Sequence, residues 1–101
     1  MTFTDKKNAW KEILHCMENN VVEEWDNDVY WIINGEKCYG LCGSVESLCG
    51  KNLDDTDDMM DTLSEYDDTG HYWFHRNMEG LEERKLIVKR FITALEAKER
   101  L

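Results

Sequence analysis

Proline is absent from this sequence of 101 residues, and cations are scarce: 12 lysines and arginines stand against 22 aspartates and glutamates. Without proline the chain contains neither a stiff proline-rich linker nor a proline-rich ligand motif. The formal net charge of −10 disfavours binding to anionic membranes or directly to nucleic acid. It favours a basic partner, or simply high solubility.

Long apolar runs are missing as well. No stretch approaches the roughly 18 apolar residues of a membrane span, and the two lysines near the start are not followed by an apolar run, so we expect no signal peptide. A cytoplasmic protein is therefore predicted. In that compartment Cys16, Cys38, Cys42 and Cys49 would be reduced thiols.

The apolar content is nevertheless sufficient for a folded core. Apolar residues make up 42% of the chain, and there are four tryptophans, four tyrosines and three phenylalanines. A chain of this length buries roughly two-thirds of its unfolded surface in one core. We expect a single domain over residues 1–101 and no extensive disorder.

The most informative stretch is residues 52–68, which hold eight of the acidic residues. On a helix at about 100° per residue, its side chains separate into two faces. The apolar face would contain Leu53, Thr56, Met59, Met60, Leu63 and Tyr66. The opposite face would carry a ladder of carboxylates, namely Asp54, Asp57, Asp58, Asp61, Glu65 and Asp68. Like charges at i,i+4 destabilise a helix, so the ladder indicates a role other than stability.

The rest of the chain predicts helices packed on a small antiparallel sheet. A first helix would run from an N-cap at Thr4 to about Asn19, and a long last helix would occupy residues 79–101. Between them, β-branched and aromatic residues predict a three-stranded meander over 21–26, 29–33 and 36–41, with Asn34-Gly35 as a type I′ hairpin turn. A middle strand apolar on both faces, a short helical turn capped by Ser44 and a fourth strand over 71–76 complete an α+β domain.

Charge is uneven along this order. Residues 18–68 contain fifteen acids and only Lys37 and Lys51 as bases, whereas the other fifty residues contain seven acids and ten bases. Glu23, Glu24 and Asp26, on the first strand and its turn, would extend the acidic ladder into a one-sided negative surface.

The sequence disfavours two kinds of metal site. An EF-hand loop begun at Asp54 would place Met59 where the sharp turn requires glycine. Cysteines at positions 38, 42 and 49 do not have the spacing of a zinc knuckle, and His71 and His75 would lie too far apart on a strand to share one ion. We therefore expect no metal and no cofactor, and buried thiols instead.

Catalysis is also not expected. No nucleophile-and-base motif, phosphate loop or dinucleotide fingerprint occurs. Carboxylates on a solvated helix face lack the burial that separates the pKa values of an acid and a base. Tyr72, Trp73 and Phe74 beside Arg76 are more typical of a buried strand than of a stacking platform in so acidic a protein.

The interpretation we favour is competitive inhibition. A carboxylate array on a rigid helix can replace the phosphates that a basic nucleic-acid-binding protein or a nuclease grips. The predicted contacts are Asp54, Asp57, Asp58, Asp61, Glu65 and Asp68, with Glu23, Glu24 and Asp26 as a second row. Inhibitors of this type include phage-encoded blockers of restriction or CRISPR machinery, which act in a bacterial host, and immunity proteins.

Two other interpretations remain open. The ladder can be a solvated face that only keeps the protein soluble. Alternatively, Met59, Met60, Met78 and the broad apolar face of the last helix can form the interface of a homo-oligomer or a scaffold. An inhibitor can act as a monomer, whereas the scaffold requires a small homo-oligomer.

Overall fold

The structure is a computed structural model and describes residues 2–25, 27–66 and 76–100. Within these residues, four helices and a three-stranded antiparallel sheet make a small α+β fold, as predicted. In chain order the elements are α1 (Phe3–Asn19), β1 (Val21–Glu23), β2 (Val29–Ile33), β3 (Glu36–Cys38), α2 (Leu41–Leu48), α3 (Leu53–Tyr66) and α4 (Met78–Glu99). The predicted fourth strand lies outside the described residues except for Arg76.

The two outer helices begin at side-chain caps. Thr2, and not Thr4, caps α1 through a capping box in which the Thr2 hydroxyl and the Asp5 carboxylate each accept a backbone N–H of the other residue. Asn77 caps α4 by accepting the N–H of Gly80. Helices α1 and α4 pack together, with the Trp10 ring edge-on to Phe91 at 5.6 Å.

The sheet has the predicted order, with β2 between β1 and β3. The turn at Asn34-Gly35 has positive φ at both residues, 51° and 80°, as a type I′ turn requires. It sets the register in which Ile33 lies opposite Glu36. Strands β1 and β3 are shorter than predicted, because Trp25 already lies in the turn that leads to β2 and Leu41 already belongs to α2.

One face of the sheet packs into the core. Val29, Trp31 and Ile33 of β2 are buried, as the alternating pattern requires. Their neighbours Tyr30 and Ile32 point to the other face and are only half-buried. The middle strand is thus apolar on both faces, as predicted, but only one of the two faces is fully buried.

Helix α2 begins earlier than predicted. Gly40, in extended backbone, is its N-cap, so that Ser44 lies inside the helix instead of capping it. The Ser44 hydroxyl is used in the core, where it accepts the indole N–H of Trp31 at 2.8 Å. None of the described helices is long and apolar enough to span a membrane.

A candidate acidic binding surface on α3

Helix α3 has the two faces that its sequence predicts. Asn52 precedes it and accepts the N–H of Asp55 at 3.1 Å, which confirms Asn52 as the cap. Thr56, Met59 and Leu63 are buried against the core. Leu53 is 74% exposed, so the apolar face is narrower than predicted.

Most of the predicted carboxylates on α3 lie in solvent. Asp54, Asp57, Asp61 and Glu65 are exposed, and we call these four the α3 ladder. Among the described residues, none of the four belongs to an ion pair of 4 Å or less. Asp68 lies outside the described residues.

Asp58 differs from the ladder. It is half-buried, and its Oδ1 lies 3.2 Å from Nζ of Lys6 on α1. This pair ties α3 to the N-terminal helix and neutralises part of the negative charge. Asp58 therefore contributes more to holding α3 in place than to an open carboxylate array.

A groove runs beside the ladder between α1, α3 and α4. It has a volume of about 430 Å³, and its walls include Asp61 and Glu65 on one side and Lys98 on the other. Phe91 and Tyr66, whose rings are 5.4 Å apart, line it as well. The groove can accommodate a long side chain with an apolar stem and a cationic end, as Lys and Arg have.

The second predicted row is less uniform. Glu23 is exposed, but the Glu24 carboxylate accepts a 2.6 Å hydrogen bond from the Tyr39 hydroxyl, and this bond is the main reason why the pKa of Tyr39 is raised. Asp26 lies outside the described residues.

Neighbours of both predicted rows line one cavity. Tyr39, next to Glu24, and Met60 of α3 both line it, and Lys37, Arg76 and Arg84 contribute positive charge to its walls. The charged side chains among the described lining residues of this cavity are all positive. The sequence did not reveal this cavity, because its cations come from three separate segments.

Trp25 is a further feature that the sequence analysis missed. It was assigned to a strand, but it lies in the turn after β1 and is 92% exposed. The turn is ordered by hydrogen bonds from the Glu24 N–H to the Asp28 carbonyl and from the Asn27 N–H to the Glu24 carbonyl. Asn27 has a φ of 66°, which asparagine tolerates better than most residues. The Asp-Asn-Asp sequence was the signal that the chain turns here.

The cysteines divide into two groups. Cys16 is buried, and so is Cys38, as predicted. Cys49 is half-buried and Cys42 is exposed, so the prediction of a buried thiol is wrong for Cys42. Burial is the main cause that raises the pKa of Cys16, Cys42 and Cys49, so their thiols are protonated at neutral pH. No cluster of three or more His, Cys, Asp or Glu side chains able to hold a metal occurs in residues 2–25, 27–66 and 76–100. The two histidines of the zinc hypothesis lie outside those ranges.

One residue of the predicted oligomer interface is not at the surface. Met59 is completely buried, so it cannot contact a partner. Met60 is half-buried and Met78 is 41% exposed.

Comparison with protein-family models, with curated proteins and with solved structures finds no match for this chain.

Proposed function

We propose that this protein is an acidic inhibitor that binds a basic nucleic-acid-binding protein or a nuclease in the cytoplasm. It would occupy the surface on which that partner holds nucleic acid. Phage-encoded anti-restriction and anti-CRISPR proteins and nuclease immunity proteins act in this manner. The observation that supports the proposal best is the α3 ladder: four exposed carboxylates on one helix whose other face is anchored in the core.

The ladder has suitable dimensions. Neighbouring carboxylates at spacings of three and four residues lie about 5–6 Å apart on a helix, and Asp54 to Glu65 spans about 16 Å at 1.5 Å per residue. An array of arginines and lysines that follows a nucleic-acid backbone meets negative charge at comparable intervals. Because the helix is already folded, binding requires little ordering of the backbone.

The distribution of cations also supports a binding role. Lysines of α1 and α4 mostly pair with acids outside α3, as in Lys7–Glu99 at 2.8 Å and Lys11–Glu96 at 3.3 Å. The repulsion within the ladder is therefore not compensated by described cations, except next to it at Asp58. A basic partner would supply the missing positive charge, which speeds association and makes it sensitive to salt.

Trp25 provides a candidate apolar anchor. Charged contacts at the rim of an interface set orientation and association rate more than affinity, and binding hot spots are enriched in tryptophan. A tryptophan that is 92% exposed on an ordered turn, directly after Glu23 and Glu24, suits such a role. Its partner would need an apolar pocket bordered by cations.

The decisive experiment compares two variants with equal charge. One replaces the ladder, with Asp54, Asp57 and Asp61 changed to Asn and Glu65 to Gln. The control changes four exposed acids elsewhere, Glu12, Glu79, Glu82 and Glu83, to Gln. Both are used with wild type to capture proteins from nuclease-treated bacterial lysate at about 0.1 and 0.5 M salt, a range over which the Debye length falls well below 10 Å.

The expected result is a basic nucleic-acid-binding protein that wild type and the control retain at low salt, and that the ladder variant loses. The purified partner should then lose nucleic-acid binding when wild type is added. If the ladder variant, with its fold intact by circular dichroism, captures the same proteins as wild type, the inhibitor function is wrong. Equal loss in both variants would reduce the effect to net charge and contradict the specific role of α3.

A further inference from the structure

A basic cavity lies where β3 leads into α2. It has a volume of about 460 Å³, within the range of small-molecule sites. Three of the residues that line it are cations, namely Lys37, Arg76 and Arg84, and no carboxylate is among the described lining residues. In a chain with a net charge of −10, three cations around one cavity are unexpected.

Two of the three cations lie over aromatic rings, and the third is buried. The Arg76 guanidinium lies 4.7 Å from the centre of the Tyr39 ring, and the Lys37 ammonium lies 4.8 Å from the centre of the Tyr30 ring. Arg84 comes from α4 and is only 5% exposed. These contacts leave the cations preorganised around the cavity.

Arg84 and Arg76 line the same cavity, so that two positive charges face one space. Burial, and secondly the positive charge of Arg76, lower the pKa of Arg84. Like charges near one another in a partly buried site are stabilised when an anion binds between them. Arginine also matches the geometry of phosphate oxygens, because its N–H groups form two parallel hydrogen bonds.

The first turn of α2 lines the same cavity. Gly40 is its N-cap and makes no side-chain hydrogen bond there, and Leu41, Cys42 and Gly43 follow it. The first N–H groups of a helix have no acceptor within the helix, and they carry the positive end of its dipole. Cβ atoms built at Gly40 and Gly43 would meet nothing within 4 Å, so the backbone here is open to close approach.

We propose that this cavity is a binding site for a phosphoryl group, held by Arg76, Arg84 and Lys37 and by the N-terminal amides of α2. A strand, a glycine-containing turn and a helix N-terminus are the elements that bind phosphate in other folds. The site is opposite in charge to the α3 ladder, and it does not depend on the inhibitor function. Its ligand carries phosphate as a free anion or as part of a nucleotide.

The test is titration of the isotope-labelled protein with inorganic phosphate, pyrophosphate and ADP, at constant ionic strength maintained with chloride. We expect pyrophosphate and ADP to shift the amide resonances of Leu41, Cys42 and Gly43 in a saturable manner. Tighter binding of ADP than of pyrophosphate would identify a nucleotide as the source of the phosphate, and equal binding would identify the free anion. No saturable shift with any probe up to about 10 mM, a concentration that would detect even millimolar affinity, would overturn the proposal.

Matched variants locate the site. Arg84→Gln should weaken pyrophosphate binding at least tenfold, whereas Arg90→Gln removes an exposed cation from the same helix and should have no effect. Because Arg84→Gln removes a buried side chain, Gly43→Asp provides a second test. Its carboxylate at the start of α2 is favourable to the helix and should compete with the ligand, so the folded variant loses binding. Binding that persists in folded Gly43→Asp would contradict the proposal.

Discussion

Trp31 and Ser44 are joined by a 2.8 Å hydrogen bond inside the core, from the indole N–H of the central strand to a hydroxyl of α2. The same hydroxyl donates to the Gly40 carbonyl at 2.7 Å, so that it acts as acceptor and donor at once. Both side chains are completely buried. This pair fixes the position of α2 on the sheet, and with it the position of α3, which packs against α2.

Ser44→Ala should therefore destabilise the fold. The substitution leaves the buried indole N–H without its acceptor, which costs about 1–3 kcal/mol. Urea denaturation followed by tryptophan fluorescence measures the change. Ser64→Ala, at an exposed position of α3, is the control and should change stability by no more than about 0.5 kcal/mol. Equal stabilities of the two variants would show that the hydrogen bond contributes nothing net.

Neutralising the middle of the α3 ladder should stabilise the protein. Asp61 lies four residues from both Asp57 and Glu65, and each such like-charge pair costs about 0.2–0.5 kcal/mol. Asp61→Asn should thus raise the free energy of unfolding by about 0.4–1 kcal/mol at low salt, with a smaller gain at high salt. Thermal and urea denaturation at two salt concentrations test this.

Asp54→Asn is the matched control for that experiment. Asp54 lies in the first turn of α3, where a negative charge interacts favourably with the helix dipole by about 0.3–1 kcal/mol. Its i+4 neighbour, Asp58, is already paired with Lys6, so the dipole outweighs the repulsion and the loss of Asp54 should reduce stability by up to about 1 kcal/mol. We therefore expect Asp61→Asn to raise the free energy of unfolding and Asp54→Asn to lower it. A gain at both positions would instead indicate general relief of the net negative charge.

Local sequence patterns predicted most of the fold because they are set by neighbouring residues. The i, i+3, i+7 spacing of Thr56, Met59 and Leu63 fixes the buried face of α3, and Asn34-Gly35 fixes the hairpin and its register. The predicted start of α2 was wrong, because serine is a good helix cap in general and Ser44 was therefore expected to be the cap. Here the Ser44 hydroxyl bonds to Trp31, a residue far away in sequence, and that tertiary contact decides its role.

The binding surfaces were only partly predictable for the same reason. Exposure of Asp54, Asp57, Asp61 and Glu65 follows from helical periodicity alone. The ion pair of Asp58 with Lys6, 52 residues earlier, does not. Nor does the basic cavity, since Lys37, Arg76 and Arg84 come together only through the packing of the sheet and the helices.

The Tyr39–Glu24 contact predicts a titration that can be observed directly. The carboxylate of Glu24 accepts a 2.6 Å hydrogen bond from the Tyr39 hydroxyl and so raises the pKa of Tyr39 above its usual value near 10. Because the folded-state pKa is raised, this contact stabilises the fold fully below the pKa of the unfolded state. The contribution is lost as pH rises through the folded-state pKa.

NMR of labelled tyrosine rings as a function of pH should show that Tyr39 ionises at a higher pH than a model tyrosine. In Glu24→Gln the titration should move back towards the usual value, because the negative acceptor is gone. Glu23→Gln, which changes the exposed neighbour by the same amount of charge, should shift it far less. Identical shifts in the two variants would mean that bulk charge, and not the hydrogen bond, controls Tyr39.

Gly35 and Gly43 should respond oppositely to the same substitution. Gly35 has a φ of 80° in the hairpin turn, and a Cβ built there meets no atom within 4 Å. The cost of Gly35→Ala therefore comes from the backbone conformation and not from a clash with neighbouring atoms. A left-handed conformation costs a non-glycine residue about 1–2 kcal/mol.

Gly43 lies within α2, also with open space around its Cβ. Gly43→Ala should raise the free energy of unfolding by up to about 1 kcal/mol, because alanine favours helix more than glycine does. Urea denaturation of both variants measures the two signs. Destabilisation by Gly43→Ala would contradict both the open space around that position and the expected gain in helix propensity.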